Sequence, residues 1–305
     1  MDRPLVVLQS FRAPRPTTNP YLSLLLRSLP PDVRARTFSW RHALLGRYDV
    51  LHVHWPEVLL RGSTPARTAA RRAAFAVLLA RLALGGPALV RTVHNPAPHE
   101  RGGPLERLLL AAADRATDLT VHLTPATAGT VRPAAPAVLV PHGHYRGWYV
   151  PPPGVRPVPG RFLHVGLLRP YKDVDGLLAA FRELGGRDGA GGPVELRIAG
   201  ACPDPALAGR ITAAAAADPG VDVLLRHLDD AELAAEVAAA ELVVLPYARM
   251  QNSGALLLAL SLDRPVLVPS NEVTRALAEE VGPGWVHLFT GRLGAADLRR
   301  ALAAV

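Results

Sequence analysis

Five polar segments of this chain carry residue types that hold anions or move protons, and each follows an apolar run of strand length. They are His54-Trp55-Pro56-Glu57, the stretch from His94 to Glu100, Pro141-His142-Gly143-His144-Tyr145, the stretch from Gly166 to Asp173, and the stretch from Pro246 to Gly254. In open α/β sheets, ligands sit at the carboxyl ends of strands, so these segments are where chemistry is expected. Seven of the 11 histidines fall in or beside them, at positions 52, 54, 94, 99, 142, 144 and 164. His52 and His164 lie inside strand runs and read as core residues. Arg169 and Lys172 place two cations within one turn ahead of a helix, an arrangement that suits a diphosphate, because the helix dipole and free N–H groups add to the charge. Lys172 is the only lysine in the chain. It supplies a compact ammonium in a background where arginine otherwise does the work.

Asn252-Ser253-Gly254 opens a second helix with a capping residue and a glycine that lets a ligand approach the backbone. Taken alone, each of these turns also suits a solvated loop or an ordinary helix cap. Two in one half of the chain point to a phosphate site. Glu57, Glu100, His94 and His99 are the candidates for a general base. The two glutamates are notable because the first 150 residues hold only eight acids, and both follow a strand. Cys202 lies between Ala201 and Pro203 with no adjacent base, which gives nucleophilic cysteine chemistry no support.

The elements that must position these residues alternate along the chain. Apolar strand runs are expected at 5–8, 50–53, 88–93, 119–123 and 137–140. A second series is expected at 162–165, 194–199, 221–225, 242–245 and 266–268. Helical patterns fall between them, the longest an Ala/Leu/Arg stretch over 65–84. Short buried strands alternating with helices imply parallel sheets covered on both faces. Two such series predict two Rossmann-like domains facing a cleft, 1–150 and 151–305, joined at the run Pro151, Pro152, Pro153, Pro157 and Pro159.

The 305 residues are 49% hydrophobic and 20% charged, a balance that supports a folded core and excludes disorder. A single cysteine excludes a disulfide framework and a Cys-rich zinc cluster. No apolar run reaches the roughly 18 residues a membrane span needs, and the first residues lack a secretory pattern, so a cytoplasmic location is expected. The net charge of +8 is unevenly placed. Residues 1–150 carry 19 arginines against eight acids, a net of +11, and the remainder is acidic by 3. A basic half raises nucleic acid as a partner, but few aromatics interleave with the arginines and no recognition motif is present. Arg67, Arg71, Arg72 and Arg81 in the 65–84 helix suit an anionic lipid surface, or simply a solvated outer face. No G-x-G-x-x-G follows the first strand and no P-loop occurs, which argues against dinucleotide and triphosphate enzymes.

With these residues in view, the chain resembles GT-B glycosyltransferases. The segment VGLLRPYKDVDGLLAAF is similar to their donor-phosphate region. DVLHVHWPE, VRTVHNPAPHE, VLVPHGHY and ELVVLPYARMQNSGALLLALSLDRPVLVP are similar, in order and spacing, to nucleotide-sugar transferases of the family-4 type. HNPAPHE and NSGALLLALS point within that group to β-mannosyltransferases that use GDP-mannose. The resemblance implies that Arg169 and Lys172 neutralise the nucleoside diphosphate leaving group without a metal or other cofactor. It implies that Asn252, Ser253 and Gly254 hold the pyrophosphate, and that Gly200 and Leu228 border the base. It also implies that His94 faces the donor sugar, with His144 and Tyr145 near the hinge. GDP-sugars are expected over UDP-sugars, with a glycolipid or a small molecule as acceptor and no nucleic acid. One departure matters: Met250 and Leu258 stand where retaining members carry two glutamates, so inversion is expected. A sugar-nucleotide epimerase on the same scaffold is the alternative.

Overall fold

The computed structural model describes residues 3–15, 17–94, 102–127, 136–248 and 250–305. The chain divides into two compact units, Met1–Gly143 and His144–Val305. The division lies upstream of the proline run. The reason is local: Tyr145 N–H donates to Ser261 Oγ at 2.9 Å and Trp148 Nε1–H donates to Asp230 Oδ2 at 3.0 Å. These bonds tie the segment before the prolines to the second unit.

The first unit runs β1 (Leu5–Gln9), α1 (Pro20–Arg27), β2 (Val33–Arg36), α2 (Trp40–Leu45), β3 (Val50–Val53), α3 (Pro56–Leu60) and α4 (Pro65–Ala83). It continues with β4 (Ala88–Val93), α5 (Pro104–Ala116), β5 (Leu119–His122) and β6 (Ala137–Leu139). Its sheet has the order β2-β1-β3-β4-β5-β6, with every described pair parallel. The second unit runs β7 (Arg161–Val165), α6 (Val174–Leu184), β8 (Glu195–Ala199), α7 (Pro205–Ala217), β9 (Val221–Leu224) and α8 (Asp230–Ala239). It ends with β10 (Leu242–Val244), α9 (Gly254–Ser261), β11 (Val266–Pro269), α10 (Glu272–Val281), β12 (Val286–Phe289) and α11 (Ala295–Leu302). Its order is β12-β11-β10-β7-β8-β9, also parallel.

Both sheets reverse their winding beside their first strand. In the first unit the chain leaves β1 for β2 and returns to β3 on the other side. In the second it leaves β7 for β8 and β9 and returns to β10. Ligands bind outside the carboxyl ends of strands at such switch points. The β1/β3 and β7/β10 ends are therefore the places to look.

Four elements go beyond the sequence pattern: β2, α2, α3 and β12. The two strands are edges, and β2 (Val-Arg-Ala-Arg) has no fully buried residue, so its apolar signal is weak. The helices begin as their sequences dictate. Pro65 occupies the first turn of α4, where a missing N–H costs nothing, and Thr64 accepts from Arg67 N–H at 3.2 Å. Phe162, Phe181, Leu196 and Ile198 anchor the second unit's core. Leu8, Leu51, Leu78 and Leu89 anchor one core of the first unit.

Candidate active-site elements at the two switch points

In the second unit, β7 and β8 end in Gly166 and Gly200, with φ of +106° and +145°. A Cβ on Gly200 would stand 2.0 Å from Gly166 O, so that strand end has no room for a side chain, and at Gly166 the positive φ strains one. This close approach lets the chain turn at Gly166 and fold back, with Lys172 Nζ only 3.4 Å from where a Gly166 Cβ would be. Asp173 then adopts the left-handed conformation (φ 49°) and caps α6 by accepting from Gly176 N–H at 3.2 Å.

Lys172 is 7% exposed, and no carboxylate pairs with it among the described residues. Its Nζ sits 4.8 Å above the Tyr247 ring, a cation–π contact. Burial pushes its ammonium down to about 8, and the neighbouring Arg169 adds to the effect. A buried cation without a counter-anion is costly. An arriving anion would relieve that cost. Tyr247 follows β10 and lies beside Ser253. Ala248 N–H donates to Tyr171 O at 3.0 Å, fastening the β10–α9 loop to the Lys172 turn. Ser253 caps α9 by accepting from Leu256 N–H at 3.3 Å. The buried Tyr145 hydroxyl lies 3.3 Å from the position a Gly254 Cβ would take. Arg169, Lys172, Asn252, Ser253, Gly254 and Tyr145 thus belong to one neighbourhood.

In the first unit, polar aromatic side chains crowd the β1/β3 switch point. Gln9, His54 and His94 are 0%, 2% and 6% exposed. His54 Nδ1 lies 3.2 Å from His94 Nε2, and His54 Nε2 lies 3.1 Å from Gln9 Oε1. Trp55 stacks on His94 with ring centroids 4.1 Å apart, and Tyr21 meets His94 edge-on at 5.0 Å. Burial holds these imidazoles neutral: His94 is pushed down to about 3, His52 to about 4, and His54 well below its ordinary value. Beyond Trp55 opens a pocket of about 390 Å³, lined by Phe11, Phe38, Trp40, Arg12 and Arg71 among others.

The chain shares much of its sequence with a known protein. It is 47% identical over 294 residues to the GDP-mannose:glycolipid 4-β-D-mannosyltransferase of Xanthomonas campestris pv. campestris, covering 96% of this chain and 82% of that one. Residues 159–304 match the family model described as glycosyl transferases group 1. The chain belongs to this glycosyltransferase family. Its fold is GT-B. Sucrose-phosphate synthase from Thermosynechococcus elongatus superposes with a TM-score of 0.66 at 15% identity, covering 99% of this chain and 89% of that one. WaaG, a glycosyltransferase involved in lipopolysaccharide biosynthesis, gives 0.61 at 13% identity, covering 98% and 90%. The epimerase alternative gives way to a transferase.

Not every predicted site residue of the glycosyltransferase joins these neighbourhoods. His99 and Glu100 lie outside the described residues. Glu57 is in the first turn of α3 and acts electrostatically on Arg91, which also pairs with Asp114. His144 is exposed, its Nδ1 accepting from Arg146 N–H at 3.2 Å. Gly200 does lie at the second switch point, against Gly166, and commits its N–H to Leu224 O at 2.9 Å. Leu228 is buried ahead of α8, whose cap is Asp229. Sequence reasoning missed Gln9 and Tyr21 as members of the sites, and named His54 and Tyr247 only as parts of strand-end segments, without a role. A glutamine closing the otherwise apolar run LVVLQ was the available signal for the first.

Proposed function

We propose that this glycosyltransferase moves a mannosyl residue from GDP-mannose to a glycolipid hydroxyl, with inversion and without a metal. The observation that carries the reading is the 47% identity, along nearly the whole chain, to a protein named for that reaction. Lys172, buried at the second switch point and paired with no carboxylate among the described residues, supports it.

In this reading Arg169, Lys172 and the N-terminus of α9 take the diphosphate. The acceptor oxygen attacks C1 of the sugar as the C1–O bond to phosphate breaks, and the electron pair leaves on GDP. The two cations and the helix N-terminus offset the charge that develops on the leaving group. The hydroxyl proton passes to a base. Burial that holds His94 down to about 3 makes it a poor base and suits it to hydrogen bonding with the sugar. Glu57, Glu100 and His99 remain for the proton. The aromatic pocket beside Trp55 suits the acceptor's sugar rings, which stack their C–H faces on aromatic side chains.

The same reading places the first unit on an anionic membrane surface at the cytoplasmic side. Of the four arginines of α4, Arg67 is the exposed one and is free of any carboxylate among the described residues. Arg72 pairs with the buried Glu106 at 3.3 Å, Arg81 donates to Ala43 O at 2.9 Å, and Arg71 donates to Arg61 O. Leu105 and Leu108 of α5, 49% and 61% exposed, are better suited. They lie beside a groove of about 690 Å³ between α4 and α5. The test is transfer of radiolabel from GDP-mannose, with UDP-glucose as control, into the lipid fraction of bacterial membranes in the presence of EDTA. Label from GDP-mannose alone is expected. Label from neither donor, or only with added divalent metal, contradicts the proposal.

A further inference from the structure

Tyr247 has no role in the reaction proposed above, yet the Lys172 ammonium rests on its ring. A tyrosine in a core carries a hydroxyl that costs stability unless it is bonded. The Tyr247 hydroxyl is buried and makes no hydrogen bond of ordinary geometry, although Ser253 lies beside it. Burial holds the phenol well above its ordinary value, so it keeps its proton and is a donor. The ring itself is walled in. Lys172 Nζ lies 4.8 Å from its centroid, Tyr171 meets it at 79° and 6.2 Å, and His164 meets it at 71° and 6.1 Å. His164 Nδ1–H donates to Val244 O at 2.9 Å, which pins that imidazole to β10. Asp173, the carboxylate next to Lys172 in sequence, is committed to capping α6. Among the described residues no carboxylate pairs with the ammonium, so the ring face is what partly offsets its burial.

We propose that Tyr247 is a positioning residue for the donor diphosphate: its ring seats the Lys172 ammonium and its hydroxyl stands at Ser253, the cap of α9, so that cation and helix N-terminus keep one spacing. The proposal rests on the reading of Lys172 and α9 as the diphosphate site. A diphosphate uses both at once, a compact charge and the free N–H groups of a helix start. One rigid side chain beside both sets their separation before the donor arrives, which spares the donor the cost of ordering them. The titratable groups facing the ammonium are Arg169 and Tyr171 on its own turn, His164 on β7 and Tyr247 after β10. Burial keeps His164 and both phenols neutral, so of these only Arg169 carries charge at neutral pH.

Because Lys172 is the only lysine, the full chain labelled with 13C-lysine gives a single ε-methylene signal. In the wild type the ring current should move that signal upfield. GDP should raise the pH at which the signal titrates and leave its upfield position in place. Tyr247→Leu is expected to weaken proton binding by Lys172 roughly 2- to 30-fold, the weight of a cation–π contact. Its deficit in GDP binding relative to wild type should be large at about pH 8 and narrow at about pH 6, where the amine regains its proton. Tyr247→Phe keeps the ring, so Lys172 should titrate as in wild type while GDP binding falls roughly 2- to 10-fold, the share of one neutral hydrogen bond. A Tyr247→Leu chain in which Lys172 titrates as in wild type, with the same loss of GDP binding at both pH values, overturns the positioning role. So does an upfield shift that is absent in the wild type or vanishes when GDP binds, and those spectra decide even if Tyr247→Leu does not fold. Equal GDP affinity in Tyr247→Phe and wild type overturns the part given to the hydroxyl. GDP that leaves the Lys172 signal unmoved overturns the diphosphate reading itself while the ring contact stays visible, so the two failures are distinguishable.

Discussion

Replacing Lys172 by methionine separates the two things that the buried ammonium does. In the donor-free protein the cation is a burden: its depression from 10.5 to about 8 corresponds to about 3 kcal/mol against the charged form. The unfolded chain binds the proton more tightly than the folded one. Stability therefore rises with pH from about 8 to 10.5 and is at its low level below about 8. Methionine keeps the stem and removes the charge. It loses the contact with the Tyr247 ring, roughly 0.5–2 kcal/mol, so a net gain of roughly 1–3 kcal/mol is expected at pH 7. Because Lys172 is the only lysine, no other ammonium side chain clouds the measurement. Wild type should gain about 1 kcal/mol between pH 7 and pH 9, and Lys172→Met should not. Donor binding moves the other way. Losing one charge-assisted contact of about 1.5–3 kcal/mol weakens GDP binding by roughly 10- to 150-fold. Denaturant titration and calorimetry with GDP read the two effects. A variant that is less stable without GDP, and binds it as tightly as wild type, refutes the reasoning.

Three further outcomes follow from the geometry. Gly200→Ala places a Cβ 2.0 Å from Gly166 O at a φ of +145°, so it should destabilise the second unit by about 4 kcal/mol or more in urea unfolding; an unchanged midpoint contradicts that packing. His94 and His164, both held down to about 3 by burial, bind protons more weakly folded than unfolded. Their stability contribution is present above about 6.5 and falls as pH drops, by about 2 kcal/mol each at pH 5; a urea midpoint that holds steady from pH 7 to 5 is the contrary result. The double variant Leu105→Asp and Leu108→Asp should abolish flotation with anionic vesicles while leaving GDP binding intact, and undiminished flotation removes α5 as the contact.

Much of the fold was legible because buried parallel strands write themselves as short apolar runs. Edge strands do not: β2 alternates valine and alanine with Arg34 and Arg36, and only its pairing with β1 reveals it. The Arg169/Lys172 turn was visible through a singular residue type. Its partner Tyr247 was not, since an aromatic after a strand looks the same whether it packs in a core or seats a cation. Gly200 was read as a neighbour of the nucleobase; the φ of Gly166 and Gly200 adds a packing need that one-dimensional spacing cannot display. The histidines after β3 and β4 were recognised as strand-end groups. The contact of His54 with Gln9 depends on register, which brings Gln9 opposite His52 and Val53 opposite Arg91.

Mannosyl transfer with inversion is read from the anomeric configuration of the product. A 1H NMR time course with GDP-α-mannose and a glycolipid acceptor should show a β-linked mannosyl residue appearing as GDP is released. An α-linked product, or GDP release with no new glycosidic linkage, would contradict the account.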